Sequence, residues 1–168
     1  MISSDIKIRV LYAHTDKMGF VYYGRYYEYF EAGRNEFLRK LGYPYSKIES
    51  QNIILPVIES HANYFSPAKY DDEITLTTML KSIPSVRIKL EYVIFNQHKE
   101  KLIEGQTVHS FVNFTTKKPI RPPKDFVELV KFFARRNTDG TALGARPALV
   151  ERRHGQIARQ VIDVHIFS

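Results

Sequence analysis

Between Arg25 and Leu41 the apolar residues recur at three- and four-residue steps, and this restricts the chain more than any other feature. Tyr26, Phe30, Phe37 and Leu41, joined by Tyr27, Arg34 and Leu38, share that helical spacing. The spacing predicts one helix, stopped at Gly42, a residue that takes positive φ without a Cβ clash. At about 1.5 Å per residue it runs roughly 25 Å, enough to cross a whole sheet.

The flanking sequence supplies that sheet. Ile6, Ile8, Val10 and Tyr12 alternate with mostly polar residues, the period-2 mark of a half-buried strand. After a short helix over Pro44 to Gln51 come four strand-like runs: Ile53 to Phe65, Glu73 to Ile83, Val86 to Phe95 and Leu102 to Thr115. Ile74, Leu76, Thr78 and Leu80 face one way. Val86, Ile88, Leu90, Tyr92 and Ile94 do the same, with Arg87, Lys89 and Glu91 opposite, as in antiparallel strands wet on one face. Ile83-Pro84-Ser85 and Asn96 to Lys101 are hairpin lengths. Lys124 to Arg136 places Phe126, Leu129, Val130 and Phe133 on one helical face. The order predicts an α+β fold, one antiparallel sheet packed on one long helix, in a single domain over 1–136. Over 137–168 arginine replaces lysine and turn residues recur. Such a switch can mark a foreign or recently joined segment, and this tail is left out of the site.

Composition removes several classes of function. The 168 residues include no cysteine, so a disulfide, a thiolate metal site and a cysteine nucleophile are excluded, and a reducing cytoplasm fits best. No stretch approaches the roughly 20 apolar residues of a membrane helix. The formal charge of +7 invites an anionic partner. The cations are dispersed among acids, with no arginine-rich arm or zinc-finger spacing, so a small phosphate-bearing ligand fits better than nucleic acid.

The window Thr15 to Arg34 is the chemical puzzle: seven of its twenty residues are aromatic, yet Asp16 stands at its head, before Gly19 and Gly24. Taken alone, a Thr-Asp followed by glycine is good turn chemistry, with the carboxylate bonding nearby amides. The wider set of residues points elsewhere. Tyr12, Thr15-Asp16, Gly19, Val21-Tyr22, Tyr26, Glu31, Arg34 with Glu36, then Phe65, Pro67-Ala68 and Asp71-Asp72, stand in an order that resembles the hotdog-fold acyl-CoA thioesterases, specifically the 4-hydroxybenzoyl-CoA thioesterase and YbgC-like branch. The resemblance covers about Ile6 to Val130. It implies a sheet wrapped around the helix, a homodimer joining two sheets edge to edge or a homotetramer of such dimers, an active site between subunits, and hydrolysis of an acyl-CoA without metal or other cofactor.

A thioester is already activated, so its hydrolysis needs chiefly a positioned carboxylate and a home for the negative charge that develops on the carbonyl oxygen. Under the resemblance Asp16 is the carboxylate, either as a nucleophile that forms a mixed anhydride or as a general base toward water. The amides of Val21, Tyr22, Tyr23 and Gly24, at the positive end of the helix, would receive the oxygen, Gly24 allowing close approach. Gly19, Tyr22 and Tyr23 would line the acyl pocket. Tyr26 joins that set, although Tyr26, Phe30 and Phe37 also fit a plain core stripe. Many YbgC-like members carry histidine where this chain has Tyr23. A phenol is a poor base at neutral pH, so Tyr23 is assigned to substrate positioning. His14 is read as solvated surface.

Glu31, on the helix, is the rival catalytic carboxylate; its alternative is an ion pair with Arg34. Pro67-Ala68 and Asp71-Asp72 read as a structural turn. Lys81, Arg87 and Lys89, flanking the Ile83-Pro84-Ser85 hairpin, are candidates for the phosphates of coenzyme A, against the alternative of solvated strand-face cations. The alternative function is a non-catalytic acyl-binding or scaffold protein of the same fold.

Overall fold

The structure is a computed structural model and describes residues 1–136. Its elements run β1 (Ile2–Arg9), a 3-10 turn (Tyr12–His14), α1 (Arg25–Lys40), α2 (Tyr45–Ser50), β2 (Ile53–Ile54), β3 (Val57–Tyr64), β4 (Glu73–Leu80), β5 (Arg87–Phe95), β6 (Lys101–Ser110), β7 (Val112–Asn113) and α3 (Lys124–Arg136). One antiparallel five-stranded sheet has the order β1-β4-β5-β6-β3, which leaves β1 and β3 as its edges; β2 and β7 form a separate ribbon. The tail assigned from the sequence lies outside the described residues.

The long helix forms where the periodicity places it. It ends in Gly42 at φ +75°, with the Tyr43 N–H bonded to the Leu38 carbonyl, a left-handed stop that glycine reaches without strain. Tyr26, Tyr29, Phe30, Gly33, Phe37 and Leu38 are its buried residues, and they face the sheet. The strand faces alternate as the sequence requires for Ile74, Leu76, Thr78 and Leu80 of β4 and Ile88, Leu90, Tyr92 and Ile94 of β5, all buried; Val86, placed on the same face from the sequence, precedes β5 and is exposed.

Two glycines set the distance between helix and sheet. A Cβ on Gly33 would sit 2.5 Å from Leu76 Cδ2 and 2.6 Å from Thr78 Oγ1, and one on Gly105 would sit 2.6 Å from Phe30 Cε2 and 2.8 Å from the His61 carbonyl oxygen. The close approach lets the Phe30 ring stack on Tyr92, 4.4 Å between centroids and 12° between planes. Gly105→Ala is therefore expected to cost about 1–3 kcal/mol, because the added carbon meets both an immobile ring and backbone. Urea denaturation reads this directly; stability equal to wild type would mean that the helix shifts freely.

Three boundaries differ from expectation, each for a local reason. Tyr12 does not continue β1. It opens the 3-10 turn and is 77% exposed, because the strand begins four residues earlier at Ile2 and pairs with β4 only as far as Arg9–Glu73. The run Ile53 to Phe65 breaks at Pro56, which has no N–H for a ladder; its carbonyl instead accepts the Ser110 N–H. The last run divides at Phe111, whose N–H bonds Val86 and whose carbonyl accepts from Ile120.

Candidate active site

The loop between β1 and α1 is built from backbone before any side chain is considered. Val10 leaves the sheet with its N–H on the Asp72 carbonyl and its own carbonyl accepting from Asp71. A small hairpin follows. The Tyr22 N–H bonds the His14 carbonyl at 2.9 Å, Thr15 and Val21 form a bridge, and the Asp16 N–H bonds the Phe20 carbonyl at 2.9 Å. The tip closes through the Gly19 N–H on the Asp16 carbonyl at 3.0 Å, with Gly19 at φ +78°, a conformation that disfavours any other residue there. Asp16 and the first residues of the helix thus sit on one short hydrogen-bonded unit.

The Asp16 carboxylate is half-buried and is used on one side. Oδ1 accepts the Met18 N–H at 2.8 Å, which is the turn bond that the sequence allows for. Oδ2 has no partner among the described residues.

The helix start differs from the expectation of four free amides. The Val21 N–H is taken by the Ala68 carbonyl and the Tyr22 N–H by His14, both at 2.9 Å. The Arg25 and Tyr26 N–H groups close tight turns onto the Tyr22 and Tyr23 carbonyls at 2.9 and 3.4 Å. That leaves the N–H groups of Tyr23 and Gly24 without a partner among the described residues. Gly24 is at φ −66°, which any residue adopts, and the space its Cβ would fill is occupied by Tyr22 Cε1 at 3.1 Å. Its lack of a side chain makes room for the Tyr22 ring beside the free amides.

Other assignments change with the geometry. Tyr26 is 2% exposed and belongs to the core; its ring meets Tyr29 and Tyr64 edge to face at 5.8 and 5.7 Å, and its hydroxyl accepts the Ala68 N–H. It cannot line an open acyl pocket. Tyr22 and Tyr23 are exposed with rings 4.5 Å apart; Met18, at the tip of the same hairpin, is exposed, and so are Tyr12 and Tyr70, which meet edge to face at 5.7 Å. Glu31 faces solvent at 64% side-chain exposure, 4.0 Å from Arg34. Asp72 holds the turn as expected, its Oδ2 accepting the Lys69 N–H at 2.7 Å.

Lys81, Arg87 and Lys89 lie at the other end of the sheet. The Asp16 loop leaves beside Glu73 at the start of β4, and Lys81 follows the end of that eight-residue strand, about 25 Å away at ~3.3 Å per residue. Lys81 and Lys89 both pair with Glu91, whereas Arg87 has no ion-pair partner among the described residues. One chain does not bring these cations to its own Asp16. Two cavities, of about 300 and 700 Å³, lie on the outer sheet face around His61, Glu91 and Glu104 and between the β4–β5 hairpin and α3; neither touches the Asp16 loop.

Sequence reasoning missed His14 and a buried polar chain. His14 is only partly exposed, and its Nδ1 is engaged, 2.8 Å from the Tyr29 hydroxyl. Deeper, His109 Nδ1 donates to the Leu55 carbonyl at 3.1 Å, and its Nε2 accepts from Thr107 at 2.9 Å and faces Arg34 Nη1 at 3.4 Å. Thr107 in turn meets the Tyr92 hydroxyl at 2.8 Å. The only signal for this chain was a histidine at an inward position of β6, two residues from Thr107.

Residues 10–130 match the family model described as the thioesterase-like superfamily. The acyl-CoA thioesterase YbgC of Helicobacter pylori is 31% identical over 133 residues, 74% of this chain and 98% of that protein. The acyl-CoA thioester hydrolase YbgC of Escherichia coli is 27% identical over 120 residues, 71% and 90% of the two chains. Among solved structures, a DHNA-CoA thioesterase from Staphylococcus aureus superposes with a TM-score of 0.78 at 33% identity, covering 85% of this chain and 98% of that one.

Proposed function

The chain belongs to the thioesterase-like superfamily and has its hotdog fold, and from that premise we propose that it is an acyl-CoA thioesterase in which Asp16 does the chemistry. Water and an acyl-CoA give a carboxylic acid and free coenzyme A. The observation that carries the assignment is the unit formed by Asp16, with an uncommitted Oδ2, and the two unpartnered amides of Tyr23 and Gly24, tied by the hydrogen bonds of one small hairpin.

The amides, at the positive end of α1, receive the thioester oxygen as it gains negative charge. Asp16 Oδ2 then attacks the carbonyl carbon, expelling the coenzyme A thiolate and leaving a mixed anhydride for water to cleave, or it takes a proton from a water that attacks directly. Both routes use the same two elements. Tyr22 and Tyr23 flank the amides and position the acyl group. Val21 acts through its backbone, which anchors the helix start to Ala68.

The acyl pocket is completed by a second copy. Asp16 lines neither of the two cavities described above, and Tyr22 and Tyr23 beside it are exposed, as surfaces waiting for a cover are. Edge strand β3 is free to pair with its counterpart, giving a homodimer or a tetramer of dimers. Any contact of Lys81, Arg87 or Lys89 with coenzyme A phosphates at this site comes from the partner copy. Among the described residues no helix is long and apolar enough to cross a membrane, and the cysteine-free sequence supports a cytoplasmic setting.

The test is thiol release from short, medium, long and aromatic acyl-CoAs. Turnover on at least one is expected; none on any would favour a non-catalytic acyl binder. The rival carboxylate is separated by Glu31→Gln. Exposed and far from the free amides along the helix, Glu31 is expected to matter at least about tenfold less to kcat than Asp16. A loss as deep as that of Asp16→Asn would transfer the catalytic role to it.

A further inference from the structure

We infer that His14 is a positioning residue for this reaction: it pins the loop that carries Asp16 to helix α1 and so fixes the separation between the carboxylate and the free amides. The inference rests on the proposed thioesterase activity and adds a residue to it. Among the described residues, the hydrogen bond between His14 Nδ1 and the Tyr29 hydroxyl, 2.8 Å, is the one side-chain hydrogen bond from residues 11–20 to α1. The same residue is joined to the helix start through its backbone, since its carbonyl accepts the Tyr22 N–H at 2.9 Å. The imidazole also packs edge-on against Tyr29, 5.5 Å between centroids.

The hydrogen bonds fix the chemistry of the ring. Nδ1 is approached by two donors, the Tyr29 O–H and the Leu11 N–H at 3.3 Å, so it must be the unprotonated nitrogen, and the proton of the neutral ring lies on Nε2. His14 serves here as an acceptor, a role that a side-chain amide oxygen can also fill.

Tyr29 is a rigid anchor. It is 4% exposed and meets Tyr26 edge to face; Tyr26 meets Tyr64 in the same way; and the Tyr64 hydroxyl donates to the Tyr23 carbonyl at 3.3 Å. That carbonyl and the Gly24 N–H belong to one planar peptide, so a donor on its oxygen both orients and polarises the amide proposed to receive the substrate. Burial raises the Tyr64 phenol to about 12, which keeps it a donor. The contacts His14–Tyr29, Tyr29–Tyr26, Tyr26–Tyr64 and Tyr64–Tyr23 link the loop to the start of the helix. Asp16 hangs from one end and the Gly24 amide from the other.

Steady-state kinetics on His14→Ala, His14→Asn, Tyr29→Phe and the double variant His14→Ala/Tyr29→Phe test this, with amide hydrogen exchange at Leu11 and Tyr22 as a readout independent of turnover. Loss of the pin should lower kcat about tenfold in His14→Ala with KM within about twofold, because misplacing the reacting groups costs rate more than binding. His14→Asn should recover most of that loss, and the double variant should be no worse than the worse single one. Exchange at both amides should quicken in the alanine variant and not in the asparagine one. A His14→Ala enzyme with wild-type kcat, an asparagine variant as slow as alanine, multiplying effects in the double variant, or unchanged exchange would each overturn the assignment. Should His14→Ala fail to fold, Tyr29→Phe removes only one oxygen and carries the same kinetic expectation. Failure of the thioesterase reading shows separately, as wild type and Asp16→Asn alike releasing no thiol.

Discussion

Asp16→Asn is expected to lower kcat for acyl-CoA hydrolysis by about 10³-fold while leaving the fold and the melting temperature close to wild type. The asymmetry follows from what the two carboxylate oxygens do. Oδ1 accepts the Met18 N–H, and an asparagine oxygen at that position accepts it equally well, so the turn and its closure by Gly19 survive. The charge does not survive. Without it the side chain can neither attack the thioester nor remove a proton from water. At ~1.36 kcal/mol per tenfold, 10³ corresponds to about 4 kcal/mol of lost transition-state stabilisation. KM should change far less, because the aromatic surface and the free amides remain. Thiol release and thermal melting, measured on one preparation, check both halves. An Asp16→Asn enzyme that keeps most of its turnover would mean that the carboxylate is only a turn residue, as its bond to Met18 by itself would suggest.

That same bond shows where the sequence stops being informative. The helix, the sheet and their faces were legible because apolar periodicity is written residue by residue: Phe30, Phe37, Leu76 and Tyr92 are buried where their spacing puts them. Asp16 and Gly19 were legible as a unit because the turn needs a positive-φ residue three positions after the aspartate. The amides were not. Whether Val21 and Tyr22 keep a free N–H depends on the carbonyls of Ala68 and His14, brought to the site only by folding. Tyr26 was ambiguous for a related reason, since an aromatic residue at helical spacing reads alike as core or as pocket wall until Ala68 and Tyr64 close over it. The cations of the β4–β5 hairpin looked available because Glu91 reaches Lys81 only once β4 and β5 pair, and then shares itself with Lys89 on its own strand. His14 and His109 carried no motif at all, and their partners Tyr29 and Arg34 lie 15 and 75 residues away.

His109 makes the other large prediction, one of stability. The ring is fully buried between β6 and the Leu55 carbonyl, and burial, reinforced by the nearby Arg34 guanidinium, pushes it from its ordinary 6.5 down to about 4. The folded protein therefore keeps it neutral in a range where the unfolded chain protonates it. Between about pH 6.5 and 4 the unfolded state binds the extra proton, so stability is complete above that window and is lost as pH falls through it. At ~1.36 kcal/mol per pKa unit the loss approaches about 3 kcal/mol at pH 4. Carboxylates contribute acid sensitivity of their own, so the comparison needed is with His109→Gln, which cannot titrate. The variant should be less stable than wild type at pH 7.5, because Leu55, Thr107 and Arg34 lose their shared partner, yet its stability should decline less steeply between pH 6.5 and 4. Urea midpoints at several pH values in that range give the two slopes. Parallel lines would mean that His109 takes up its proton inside the folded protein as easily as outside it. The folded ring would then have to be as open to water as the unfolded one, against its full burial and the 3.4 Å approach of Arg34 Nη1.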